Sequence, residues 1–174
     1  MNKPLILVVE DDAPIRNLIT TTLKTQDYKY IAAATASEAL QQATIHAPDV
    51  MLLDLGLPDL DGIEVIRRIR SWSAMPIIVI SARSEDSDKI EALDSGADDY
   101  LTKPFSVEEL LARLRVTFRR ILMLQNAAGC SVFTNGDLQI DFAAGCATLK
   151  GQELHLTPIE YRPVSYTHLT LPTK

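Results

Sequence analysis

Residues 50–62 read VMLLDLGLPDLDG, and the order of apolar and acidic positions in them decides the fold. Val50, Met51, Leu52 and Leu53 form a continuous apolar run, the pattern of a strand covered on both faces. The run ends on a carboxylate, Asp54, and two further acids, Asp59 and Asp61, follow in the loop. A carboxylate at the tip of a buried strand is costly to desolvate unless something compensates it. Asp61 stands where it would cap the next helix, and Asp59 reads as loop surface.

The same unit recurs on both sides of this stretch. Leu5–Val9, Tyr28–Ala33, Asp49–Leu53, Ile77–Ser81 and Asp99–Thr102 are five strand candidates. Helical patterns lie between them. Ile15, Leu18, Ile19 and Leu23 share a face behind Asp12 as cap and Pro14 in the first turn. Ser37 opens a helix with Ala36, Ala39, Leu40 and Ala43 on one face, and Asp61 one with Ile63, Ile66 and Ile69 inward. A helix over 85–95 stops at Gly96, and Ser106 caps one carrying Leu110, Leu111, Leu114, Phe118 and Leu122, ending near Leu124. Five alternating strand–helix units predict an α/β fold, a doubly wound parallel sheet of order 2-1-3-4-5. Such folds place ligands outside the carboxyl ends of the strands, at the switch point, where Asp54 falls.

The chain of 174 residues is long enough for one well-buried domain and part of a second. Its net charge of −6 gives no global basic field, so any DNA contact must come from a local patch. The start, MNKPLILVVE, lacks the longer apolar core of a signal peptide, and no stretch nears the roughly 18 apolar residues of a membrane span. Cys130 and Cys146 are far apart, without a CxxC, and read as reduced cytosolic thiols.

After Leu124 the character changes. Residues 125–131 are small and polar, as in a linker, and four short strand-like pieces follow: Val132–Thr134, Leu138–Phe142, Ala147–Leu149 and Glu153–Leu156. Asn135-Gly136 and Lys150-Gly151 supply turn chemistry between them. Thr157-Pro158-Ile159-Glu160 is a capping box that starts a helix, but Pro163 then collides with the carbonyl of Ile159. The remaining residues, through Lys174, carry no helical apolar stripe and are expected to be disordered.

The strand ends carry complementary groups. Strand one ends in Glu10, Asp11 and Asp12, strand three in Asp54 and strand four in Ser81, while Lys103 follows strand five. Clustered carboxylates raise one another's pKa unless a cation sits among them, and an oxygen-only set suits Mg²⁺. With the metal and Lys103 neutralising phosphoryl oxygens, a carboxylate can attack phosphorus and form an aspartyl phosphate.

VVEDD (8–12), LLDLGLPDLDG (52–62), ISAR (80–83) and GADDYLTKPF (96–105) resemble the receiver domain of bacterial two-component response regulators over residues 1–124. The resemblance implies Asp54 as phosphoacceptor, with Mg²⁺ held by Asp11, Asp54 and the Gly56 carbonyl and by Glu10 through water. Lys103 and Ser81 would contact the phosphoryl oxygens, Ser81 and Tyr100 would form the switch, and a sensor histidine kinase would be the donor. Residues 132–162 resemble the start of an OmpR/PhoB-type winged-helix effector domain, LTPIEYR (156–162) matching its junction. LGLPDLDGIE, SARSEDSDKI and HLTPIEYR look most like the Kdp-type regulators of potassium-transport genes. The pattern breaks at Pro163, so specific operator DNA binding by this chain is not expected. Family dimers form through the fourth helix, fifth strand and fifth helix, which points to Lys89 with Glu109, Asp99 with Arg113 and Asp98 with Arg120. The expected place of action is the cytoplasm.

Three rival readings are weaker. A haloacid-dehalogenase-type phosphatase has a second Asp two residues after the nucleophile, whereas Gly56 stands here, so no turnover enzyme is expected. A flavodoxin-like cofactor domain needs a hydroxyl- and glycine-rich loop after strand one, and Glu10-Asp11-Asp12 would repel its phosphate. A binding-only adaptor would lack the phosphoacceptor, and Asp54 is present.

Overall fold

In a computed structural model of the chain the described residues are 3–129, 132–135, 138–141, 146–149 and 152–154. The chain divides into two units, residues 1–118 and 119–174. The first unit alternates strand and helix: β1 (Leu5–Val9), α1 (Ala13–Thr25), β2 (Lys29–Ala33), α2 (Ala36–His46), β3 (Val50–Leu53), α3 (Gly62–Arg70), β4 (Ile77–Ser81), α4 (Asp86–Asp94), β5 (Asp99–Thr102) and the beginning of α5 (Val107–Gly129). The strands form one parallel sheet in the order β2-β1-β3-β4-β5, as the alternation predicts.

The apolar runs become the centre of the sheet. All four residues of β3 and all five of β4 are buried, and α3 presses Ile63, Val65, Ile66 and Ile69 into the core. Full burial of a Leu or Ile side chain contributes about 1.5–3 kcal/mol, so these strands are fixed firmly. Register then sets where the polar ends fall. Val9 pairs with Leu53, Leu53 with Val79 and Ser81 with Thr102. The residues that follow, Glu10, Asp54 and Lys103, therefore emerge side by side at one rim.

Asp12 caps α1 through the Ile15 amide, and Asp61 caps α3 through the Ile63 amide, as expected. Besides shifts of a residue or so at several element ends, two boundaries differ from expectation in kind. The cap of α2 is Thr35 rather than Ser37: its hydroxyl takes the Glu38 amide at 3.2 Å, while Glu38 reaches back to the Ala34 amide at 2.9 Å. The helix of α5 continues to Gly129 instead of ending near Leu124; Gln125, Ala127 and Ala128 are good helix formers and carry it on. α4 is weakly held, with Ala92 buried and Ile90 and Leu93 both exposed.

The second unit contains a four-stranded antiparallel sheet, β6 (Val132–Asn135), β7 (Leu138–Asp141), β8 (Cys146–Leu149) and β9 (Gln152–Leu154), in sequential order. The expected capping box at 157–160, the break at Pro163 and the tail lie outside the described residues.

Candidate functional site

Glu10 and Asp54 each follow a fully buried strand, and they share its environment: Glu10 is 1% exposed and Asp54 7%. The backbone fixes both, since the Asp54 amide donates to Val9 and the Glu10 amide to Ala33. Asp11 is exposed beside them, and oxygens of Glu10, Asp11 and Asp54 lie within 4.8 Å of one another. Lys103 reaches in from β5, its Nζ 2.8 Å from Glu10 Oε2 and 2.9 Å from Asp54 Oδ2.

One ammonium among three carboxylates leaves the site short of positive charge. Burial pushes the Glu10 carboxyl up to about 7, with Lys103 opposing that and the Asp54 charge adding to it. Burial also works against the Lys103 charge, yet the two carboxylates hold its pKa above the ordinary lysine value. Although close to Lys103, the buried Glu10 Oε2 meets no donor in hydrogen-bond geometry. Three carboxylates gathered around a single ammonium make an anion-rich, all-oxygen set that fits a hard metal cation, so the cluster offers a metal site.

The other expected residues surround it. The Gly56 amide donates to Asp54 Oδ1 at 3.1 Å. Ser81 is buried at the end of β4, where its hydroxyl accepts the Arg83 amide at 3.2 Å, and its carbonyl accepts the Lys103 amide at 2.8 Å. The Tyr100 hydroxyl donates to the Arg83 carbonyl at 2.7 Å, and burial raises its pKa, with the Ser81 hydroxyl lowering it.

Of the residues assigned to a dimer interface, Lys89, Asp98, Asp99, Glu109 and Arg113 have partners within one chain. Arg113 Nη1 lies 2.7 Å from Asp99 Oδ1, and Nη2 2.8 Å from Glu109. Asp98 Oδ2 takes Arg70 Nη2 at 2.9 Å and the Ile77 amide at 2.8 Å, so it also closes the start of β4. Lys89 lies 3.8 Å from Asp86, one turn earlier on α4, and Arg120 is exposed.

Three residues were missed from sequence. Arg16 Nη1 donates to the carbonyls of Glu10 and Asp11 at 2.7 and 3.1 Å, steadying the acidic turn. Arg83 lies 2.6 Å from the α3 cap Asp61; burial works against the Asp61 anion, but Arg83 and the Ile63 amide hold its carboxyl below the ordinary value. Asp59, read as loop surface, accepts three hydrogen bonds from the start of α2. No local signal marks these pairings, because the Asp59 and Arg83 partners are more than 20 residues away in sequence.

The model of the response regulator receiver domain matches residues 6–115. Among curated proteins, the KDP operon transcriptional regulatory protein KdpE of Escherichia coli (strain K12) is 49% identical over 157 residues, 90% of this chain and 69% of that protein. Transcriptional regulatory protein KdpE of Staphylococcus aureus is 48% identical over 156 residues, with 90% and 67% covered. Among solved structures, the response regulator DrrB, a Thermotoga maritima OmpR/PhoB homolog, matches with a TM-score of 0.64 at 31% identity, over 92% of this chain and 70% of that one. No helix among the described residues is long and apolar enough to cross a membrane. With its acids, hydroxyl and lysine in place at the switch point of this sheet and these relatives along most of its length, the chain belongs to the response regulator receiver family of two-component systems.

Proposed function

We propose that Asp54 accepts a phosphoryl group from a phosphohistidine of a sensor kinase. The observation that carries this is the buried Asp54 carboxylate held 2.9 Å from Lys103 at the carboxyl rim of the sheet. An Asp54 oxygen attacks phosphorus as the P–N bond to the kinase histidine breaks. Lys103 and the Ser81 hydroxyl receive the phosphoryl oxygens. Asp11, Asp54 and the Gly56 carbonyl, with Glu10 through water, would hold Mg²⁺, which would supply charge neutralisation at the transferring group. The chain acts stoichiometrically, because Gly56 gives no acid/base two residues after Asp54 to speed release of the phosphate.

Occupied Asp54 draws the Ser81 hydroxyl inward, and Tyr100, already bonded to the β4–α4 loop, follows. α4, with little buried surface, is the element free to shift. The output is a homodimer through Lys89, Asp98, Asp99, Glu109, Arg113 and Arg120, formed in the cytoplasm. The proposed layout is a receiver over 1–124, a linking segment over 125–131, the first part of a winged-helix domain over 132–162 and a separate tail over 163–174. Identity to the two KdpE proteins supports control of potassium-transport genes through promoter DNA in a full-length relative.

Incubation with Mg²⁺ and acetyl phosphate tests the reading. The wild type gains one acid-labile phosphoryl mass at Asp54, and Asp54→Ala gains none; a wild type without that gain overturns it.

A further inference from the structure

Asp59 sits five residues after Asp54, yet its carboxylate is spent on another element. Oδ1 accepts the Ala36 amide at 2.8 Å, and Oδ2 accepts the Ser37 amide at 2.9 Å and the Ser37 hydroxyl at 2.8 Å. These amides are the first two of α2, donors that a helix cannot satisfy internally. The next one, of Glu38, is already taken by Thr35. Asp59 therefore satisfies the helix from outside, and its three partners, the Ser37 and Ala36 amides foremost, hold its carboxyl down at about 2.

The helix it grips is firmly seated, with Ala36, Ala39 and Ala43 buried. The loop it belongs to carries Asp54 and Gly56. Leu55 and Leu57 bury the loop's apolar side, and the Gly62 amide closes on the Leu55 carbonyl at 3.0 Å. The polar crest from Pro58 to Asp61 is exposed except at half-buried Leu60, so hydrogen bonds must place it.

We propose that Asp59 is a positioning residue, a tether to α2 that fixes the loop bearing Asp54 and Gly56 for metal binding and phosphoryl acceptance. The inference rests on the reading of Asp54 as phosphoacceptor. Mg²⁺ demands near-ideal octahedral geometry, so small shifts of a ligand loop weaken it more than they weaken the fold. Groups that orient ligands of a metal typically change affinity by tenfold or more when removed.

The test compares the full chain with Asp59→Ala, Asp59→Asn and Thr35→Ala. Thr35→Ala removes a cap from the same helix end without touching the loop, so it reproduces a purely structural cost. Calorimetric titration gives Mg²⁺ affinity, acetyl phosphate kinetics give half-saturation and maximal rate, and melting gives Tm. Asp59→Ala should weaken Mg²⁺ roughly tenfold and slow the maximal rate, with Asp59→Asn between it and wild type because one acceptor oxygen remains. Thr35→Ala should lower Tm comparably with affinity and rate unchanged. Wild-type affinity and rate in Asp59→Ala, or an equal loss in Thr35→Ala, overturns the tether. A wild type that binds Mg²⁺ but takes no phosphoryl group overturns the functional reading instead, and the variants' Mg²⁺ affinities still decide the tether.

Discussion

Arg70 and Lys103 are both largely buried cations paired with aspartate at the rim of one sheet, Arg70 at the amino ends of the strands and Lys103 at the carboxyl ends. Arg70 Nε donates to the Gly96 carbonyl at 2.8 Å, Nη1 to the carbonyls of Ser73 and Met75 at 3.2 and 2.7 Å, and Nη2 to Asp98 at 2.9 Å. It closes three turns and leaves little unsatisfied. Lys103 serves two carboxylates beside a third, so one positive charge answers three acidic groups. Similar burial thus hides opposite designs: one cation completes hydrogen bonds that the fold needs, and the other leaves a deficit that a ligand can fill.

If that contrast is right, the two ends respond oppositely to mutation. Arg70→Ala strands three carbonyls and the Asp98 carboxylate, and the expected loss is about 3 kcal/mol in urea unfolding. Phosphoryl acceptance per folded molecule should be unchanged; a loss below about 1 kcal/mol would mean that water replaces the guanidinium. Gly62→Ala acts between the two ends. A Cβ there would lie 2.6 Å from the Leu55 Cα and 2.7 Å from the Asp54 carbonyl oxygen, both backbone atoms that cannot swing aside. The expected cost is about 2 kcal/mol, with acetyl phosphate kinetics slowed roughly tenfold as Asp54 is displaced. Normal kinetics at reduced stability would separate the packing from the site.

The functional end was more legible in sequence than the structural one. Glu10, Asp54 and Ser81 can be found because each terminates an apolar run and Lys103 because it follows the last short strand, and a parallel sheet with known order aligns those ends. The Arg70 staple and the Asp59 tether join residues 22 to 28 positions apart through side chains alone, and periodicity carries no record of that. Thr35 is a different case. Its partner Glu38 stands three residues on, the signature of a capping pair, and the more prominent Ser37 obscured it.

pH separates the two ends next. Glu10's pKa is about 7 in the folded protein against 4.5 for the free side chain. The folded state thus keeps a proton that the unfolded chain has released, and this favours folding below the unfolded value and is lost as pH rises through about 7. Stability of the metal-free protein should fall between about pH 5 and pH 8 by on the order of 2 kcal/mol, and Glu10→Gln should flatten that slope. Millimolar Mg²⁺ should restore stability at the alkaline end of that range in wild type more than in Glu10→Gln. A slope that survives Glu10→Gln would assign the titration elsewhere.

The smallest effect on folding is expected at Arg113, and it decides whether this pairing is internal or shared between copies. Arg113 is about a third exposed and bonded to Asp99 and Glu109 of its own chain, so Arg113→Glu should cost no more than about 1 kcal/mol. It should nevertheless abolish phosphorylation-dependent dimerisation if Arg113 exchanges Asp99 for the same acid of a second copy. Asp99→Arg should do the same alone. Mixing the two phosphorylated variants is the discriminating step. Across a two-fold interface, the Arg113 kept by one variant then faces the Asp99 kept by the other. The two introduced side chains, an arginine at position 99 and a glutamate at position 113, face each other at the symmetry-related contact. Within each variant chain, by contrast, like charges oppose. A heterodimer in sedimentation, with neither variant dimerising alone, requires the pair to act between chains. Two variants that stay monomeric when mixed leave Arg113 as an internal brace of β5 and α5, as Arg70 is an internal brace at the start of β4.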